Sequence, residues 1–360
     1  MIISLSITNL LQCIYIAICV FIIFAVWPLR RLRSINYLLV LVIVAMSFNL
    51  LEELNITREY YLITPIFLLA KGPAFFLFVQ KLIYRQPIID RSALLHFVPM
   101  LLAIPFTQWP QMVIAVGTMS QLIYAALTYT LIRRYHVASY ATQSNAFSLS
   151  INWILVILAG FLVTEVVDLI RLNSQPYISL ESNLIGQLVM SLISFLLLAL
   201  LALRLLHQAE FFRGLSEFEE SQVNNTSTQL TDQKVIEQSE PSDSLTDDLE
   251  SEQLIFDELK KVLLAEKLYA IPRLSLTDVS KATSFLERDI SRAINLVGKT
   301  NFCEFINQLR VDSVIKQLPL TDRTILEVAL ESGFNSKSSF NAAFKRATSM
   351  TPSQFIKNNT

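Results

Sequence analysis

Glycine is scarce in this chain, with 7 in 360 residues. Enzymes that cradle phosphates need glycine-rich loops, because only a residue without a Cβ lets backbone N–H groups converge on the anion. No such loop is present, so nucleotide-binding, histidine-kinase and nucleotide-cyclase readings fail, and neither HExxH nor GxSxG occurs. Cysteine is just as sparse: Cys13, Cys19 and Cys303 are too few and too scattered for a disulfide framework or a zinc site. The chain is therefore read as a non-enzyme with no metal or cofactor. Charge is low as well, at 16% of residues, where an ordinary soluble domain carries about 25%. Neither sign dominates, since 29 Lys and Arg face 30 Asp and Glu.

What the chain has instead is apolar length. Hydrophobic residues make up 53% of it and the mean hydropathy is +0.48. Seven runs approach the roughly 20 apolar residues that cross a bilayer: Leu10–Trp27, Ile35–Leu51, Tyr61–Tyr84, Leu94–Trp109, Pro110–Ile132, Ile151–Ile170 and Asn183–Leu206. The fourth is short and interrupted by Pro99 and Pro105. No positive region precedes the first run and no small-residue cleavage site follows it, so it reads as a span and not as a cleaved leader.

Charge divides the chain into three blocks. Residues 1–213 carry net +5, residues 214–253 net −10, and residues 254–360 net +4. In the first block Arg30, Arg31, Arg33, Lys81, Arg85, Arg91, Arg133, Arg134, Arg204 and Arg213 all fall on one side if the N-terminus is outside. The opposite loops hold Arg58 and Arg171 among Glu52, Glu53, Glu59 and Glu181. Cationic loops stay in the cytoplasm, which predicts an outside N-terminus, seven crossings and a cytoplasmic C-terminal third. Residues 214–253, acidic and nearly free of aromatics, read as a disordered linker with an r.m.s. reach of roughly 35 Å.

Ionisable groups within a span are costly and often functional. Lys71 stands mid-span beside Gly72 and Pro73, which are expected to loosen the helix. Glu165 and Asp168 share one face of the sixth span. Two readings stand side by side: Lys71 simply pairs with Glu165 while the outer acids reach water, or these groups line an outward-facing cavity that senses a small-molecule or membrane signal. His96 and His136 read as interfacial or loop residues.

After Glu252 the apolar period becomes helical, through Leu254, Phe256, Leu259, Val262, Leu263 and Leu268. Ser275 and Asp278 then form a capping box that opens a helix. Two pairs of short helices follow, Leu276–Thr283 with Glu287–Leu296 and Ile325–Glu331 with Ser336–Arg346. The long helix Asn301–Leu318 lies between them, and Gly333 supplies the left-handed residue of the second turn. In the second pair Ile325, Val328, Ala329, Phe340 and Phe344 face inward. Asn335, Ser336, Lys337, Ser338 and Asn341 are left at the start of the last helix, where a recognition helix meets base edges, with Lys345 and Arg346 nearer the phosphates. In the first pair Ile290 and Ile294 face inward, while Glu287, Arg288, Ser291, Arg292 and Asn295 face out.

The residues Arg310-Val-Asp-Ser-Val314, Leu318, Ile325-Leu-Glu-Val-Ala329, Gly333-Phe334, Phe340, Phe344-Lys-Arg346 and Ser349-Met-Thr-Pro352 resemble the DNA-binding domain of the AraC/XylS regulators over about 100 residues. Departures from the family pattern stand at Ser280, Leu286, Ser349 and Ile356. The resemblance implies two helix-turn-helix units that bind double-stranded promoter DNA, and recruitment of RNA polymerase as an activator. The whole is thus expected to be all-α. A seven-helix transmembrane bundle (1–213) sits in the lipid bilayer of the bacterial inner membrane, followed by the linker (214–253) and a cytoplasmic all-helical DNA-binding domain (254–360). A slack linker cannot transmit a rigid rotation, so coupling is expected through homodimer formation, local concentration or release of the linker from a partner. In one alternative the membrane domain is only an anchor and proteolysis within the linker frees the regulator. A transporter with a fused regulator lacks its sign, paired broken helices in an internal repeat.

Overall fold

The computed structural model describes residues 7–54, 63–84, 91–174, 177–208, 211–212, 214–216, 218–220, 244–318 and 323–359. Arg58, Glu59, Arg85, Arg213 and most of the expected linker lie outside the described residues. Every regular element among the described residues is helical, apart from one isolated bridge between Gln143 and Ser275. The chain divides into two compact units, one of residues 1–133 and 151–213, the other of residues 134–150 and 214–360.

The first unit holds α1 (Ile7–Val26), α2 (Asn36–Glu53), α3 (Leu68–Ile83), α4 (Arg91–Leu95), α5 (Val98–Leu102), the first part of α6 (Pro110–Thr142), α7 (Asn152–Ser174) and α8 (Leu180–His207). Among the described residues six helices, built around α1, α2, α3, α6, α7 and α8, are long and apolar enough to cross a membrane. The expected fourth run takes a different form. Pro99 and Pro105, which cannot donate to a helical ladder, stand at the starts of α5 and of the 3-10 turn Ile104–Phe106, so the run is three short pieces. It nevertheless runs back along the first half of α3. His96 Nδ1 lies 2.8 Å from Tyr124 Oη and its ring 6.0 Å from Phe76, while Met100 and Ala103 pack on Ile66, Phe67, Leu69 and Val113 at the other end. The starts of α3 and α6 thus lie together, and the broken segment is the seventh apolar element.

Gly72 and Pro73 do not interrupt α3, which is continuous through both. Gly72 serves instead as a close approach: a Cβ there would stand 3.1 Å from Gln121 Cα and Tyr124 Cβ of α6. Outward-facing Phe21, Phe24, Val156 and Leu196 are well exposed, as befits helices solvated by hydrocarbon. The last of these helices, α8, ends at His207, and residues 215–216 and 218–220 are helical again.

The second unit contains the end of α6, the loop after it, and α9 (Ser244–Ala265), α10 (Leu276–Thr283), α11 (Glu287–Leu296), α12 (Phe302–Gln317), α13 (Ile325–Glu331), α14 (Lys337–Thr348) and α15 (Pro352–Asn359). Its apolar residues form two cores. Leu259, Leu263, Leu276, Val279, Ile290, Ile294, Phe302, Ile306 and Leu309 build the first, and Val311, Val314, Val328, Ala329, Phe334, Phe340 and Phe344 the second. The long helix α12 serves both, so Arg310 falls at their junction.

Candidate nucleic-acid interface and membrane cavity

Local chemistry sets both helix pairs. Ser275 and Asp278 cap α10 reciprocally, and Thr324 and Glu327 do the same for α13. The Thr324 backbone N–H and hydroxyl, both bonded to the Glu327 carboxylate, hold that group below its usual range. Gly333 turns at φ +96°, and a Cβ there would press within 2.8 Å of the Tyr269 and Ala270 carbonyls. The departures from the family pattern have local consequences. The Ser280 hydroxyl donates to Phe285 O at 2.6 Å and ties the first turn. Leu286 stands at the start of α11 with no side-chain cap and is 63% exposed. Ser349 takes the left-handed conformation, φ 59°, that closes α14.

These frames present two polar helix faces. On α11, Glu287, Arg288, Arg292 and Asn295 are exposed and Ser291 is half-buried. Arg288 reaches Asp289 at 3.2 Å, Asn295 reaches Ser291 at 3.5 Å, and Arg292 pairs at 3.0 Å with Glu252, a buried carboxylate of α9. On α14, Lys337, Ser338, Asn341, Lys345 and Arg346 are exposed, with Asn335 and Ser336 half-buried ahead of them. Ser336 is also the N-cap, accepting from Ser339 N at 3.2 Å. Lys337, Asn341 and Lys345 share a groove with Thr324, Thr351 and Ser353 and with the apolar Ile325, Leu326, Ala342 and Pro352, and its cations and hydroxyls suit phosphate oxygens. Arg346 points elsewhere: it pairs with Glu304, and its guanidinium lies 4.7 Å over the Phe147 ring.

The three candidates in the apolar helices do not converge on one place. Lys71 and Glu165 form an ion pair and line one cavity of about 140 Å³, with Tyr15, Gln121, Tyr124, Thr128 and Ser194 as its other polar residues. Asp168 lies outside that lining and pairs with Arg171 at 2.7 Å. The other acids are bound in place as well. Glu52, buried, accepts from Thr64 N at 2.8 Å and Thr64 Oγ1 at 2.6 Å. Glu53 gathers the amides of Asn9, Gln12 and Gln187 at 2.7, 2.9 and 2.6 Å.

Sequence reasoning missed the surroundings of Arg310, which is 1% exposed. Its Nε donates to Tyr269 O at 2.7 Å, Nη1 to Asn307 Oδ1 at 3.2 Å, and Nη2 to Ile271 O at 2.9 Å and Ser144 Oγ at 3.1 Å. Burial pulls the guanidinium down to about 10, still charged at neutral pH, and pushes the neighbouring Cys303 thiol up to about 11. A buried cation held by carbonyl, amide and hydroxyl oxygens was detectable only as an arginine in an otherwise apolar helical stripe.

A family model described as a helix-turn-helix domain matches residues 266–358. Uncharacterised helix-turn-helix-type transcriptional regulators of Staphylococcus aureus, from strains COL and MSSA476 among others, are 31% identical over 99 residues, 28% of this chain and 13% of each relative. The chain thus spans about an eighth of the length of those relatives. The TetD protein of transposon Tn10 from Escherichia coli is 31% identical over 100 residues, covering 28% of this chain and 72% of TetD. No solved structure matches the chain.

Proposed function

Because the chain belongs, through its C-terminal helix-turn-helix domain, to the AraC-type regulators, we propose that it is a membrane-bound transcription regulator that reads promoter DNA with α11 and α14. The observation that carries this reading is the pairing of two capped, separately cored helix pairs, each with an exposed polar helix on an apolar frame. In the proposed complex Asn335, Ser336, Lys337, Ser338 and Asn341 face base edges and phosphates, with Lys345 on the backbone. Glu287, Arg288, Ser291, Arg292 and Asn295 serve the neighbouring site, and Arg346 joins the backbone contacts once released from Glu304. The resemblance adds RNA polymerase as the partner of an activator, and a homodimer would pair the half-sites.

The first unit is proposed to hold this reader at the bacterial inner membrane with the N-terminus outside, the orientation that the Lys and Arg placement favours. Its cavity, with the Lys71–Glu165 pair on the wall, is the proposed sensing site. Full-length protein in vesicles should bind duplex promoter DNA with affinity falling as salt rises, each neutralised phosphate adding about −0.9 to the logarithmic slope. Lys337→Ala should weaken binding and flatten the slope by about one phosphate. A variant that binds unchanged across salt would overturn the assignment of α14. Release by proteolysis within 214–253 is the competing reading, and it predicts a soluble C-terminal fragment on immunoblots.

A further inference from the structure

The loop after α6 is built into the second unit. Gln143 N closes the helix on Ser139 O at 2.9 Å, and Ser144 N donates to Leu274 O at 3.0 Å beside the Gln143–Ser275 bridge. Ser144 O accepts from Asn307 Nδ2 at 3.1 Å and from the Cys303 thiol at 3.4 Å. Ser144 Oγ accepts from Arg310, and Phe147 lies under Arg346. Ser144 and Ala146 are buried, and Tyr135 Oη holds Leu149 O at 2.8 Å from the last turns of α6. A single loop residue therefore spends its N–H, its carbonyl and its hydroxyl on the C-terminal domain.

The place it reaches is the junction of the two helix pairs. Arg310 separates Leu309 in the first core from Val311 in the second. It grips Tyr269 O and Ile271 O on one side and lies 5.7 Å from the Phe334 ring on the other. Sites read by two helix-turn-helix units require a fixed separation of the recognition helices, and this junction sets it. At its other end α6 is unbroken for 33 residues from Pro110 and contributes Gln121, Tyr124, Ala125 and Thr128 to the cavity wall. A continuous helix transmits translation and rotation that a slack chain cannot.

We propose that residues 143–150 are a docking segment that carries the position of α6 to the Arg310 junction, and that residues 214–253 act only as a tether. Sensing thus bypasses the linker, in contrast to the expectation drawn from its composition. The consequence for promoter choice rests on the DNA-binding reading, but the docking does not.

Cys303 reports the contact, since its thiol is fully buried and donates to Ser144 O. In full-length protein in native membranes, carrying Cys13→Ser and Cys19→Ser, N-ethylmaleimide should label Cys303 slowly. Ser144→Pro, which removes the N–H and the hydroxyl together, should speed labelling about tenfold, and Phe147→Ala should do so to a smaller extent, because each lowers the cost of local opening. Ser144→Thr keeps every donor and acceptor and should label as the parent does. Promoter binding by the same vesicles, measured in parallel, should weaken in Ser144→Pro and less in Phe147→Ala, because loosening the junction frees the separation of the recognition helices. Lys71→Met with Glu165→Gln, in the cavity, should change the labelling rate when the loop is intact and leave it unchanged in Ser144→Pro. Equal labelling of parent, Ser144→Pro and Phe147→Ala would overturn the docking, and indifference to Lys71→Met with Glu165→Gln would overturn the coupling. Loss of promoter binding by every form, the parent included, would defeat the DNA-binding reading alone.

Discussion

Lys71 and Glu165 form an ion pair between α3 and α7 on the wall of a cavity lined mostly by apolar side chains. If these helices span a bilayer as proposed, neither charge has bulk water to fall back on, so removing one partner costs more than removing both. Lys71→Met should lower the amount of folded protein in the membrane severalfold, and Lys71→Met with Glu165→Gln should recover most of it. Quantitative immunoblotting of membranes checks this, and a double variant worse than the single one would contradict the pair. Reporter output that remains wild-type and inducible in Lys71→Met would contradict sensing at this site.

Leu286 opens α11 without a side-chain cap and lies 63% exposed. Leu286→Ser supplies the missing oxygen and should stabilise the second unit by about 1 kcal/mol. That corresponds to a rise of about 4–8 °C in the unfolding transition of a domain this size. An unchanged transition would mean the entry to α11 is satisfied some other way.

Ser349 holds φ 59° at the end of α14, where a side chain is strained and glycine is not. Ser349→Gly should add about 0.5–1 kcal/mol to the same transition. The gain should add to that of Leu286→Ser, because the two helix ends belong to different cores.

Glu327 gives a pH signature. Its carboxyl is held low by the Thr324 N–H and hydroxyl, so its folded value lies beneath the unfolded one of about 4.3. Such a group contributes stability above the unfolded value and loses it as pH falls through the folded value. Amides at the start of α13 should therefore lose exchange protection on acidification sooner than those of α14, whose cap is the hydroxyl of Ser336. Parallel loss in both helices would show that the Thr324–Glu327 box does not govern α13.

Legibility tracks the range of the interaction. Ser275 with Asp278, the turn at Gly333 and the limits of α10, α11 and α13 could be read directly, because caps and left-handed turns are decided within four residues. The inward set of Ile290, Ile294, Phe340 and Phe344 followed from helical period for the same reason. Pro99 and Pro105 showed that the fourth run was broken, although its path along α3 depends on contacts of His96 and Met100 that no local pattern carries. Glu165 and Asp168 looked equivalent at three residues apart. Only Arg171 on one side and Lys71 on the other separate their roles. The Ser144–Arg310 contact joins residues 166 apart, and the N–H and carbonyl that Ser144 gives to Leu274 and Asn307 are groups that nearly every residue owns, so no sequence signal marks the docking.

The central claim is that this chain reads DNA while still in the membrane. The most direct measurement is chromatin precipitation from the membrane fraction of cells carrying a C-terminally tagged full-length chain. The account predicts discrete enriched promoter sites there, lost in a Lys337→Ala, Arg292→Ala variant that reaches the membrane in normal amounts. Absence of enriched sites, or their recovery only with a soluble fragment lacking the apolar helices, would contradict it.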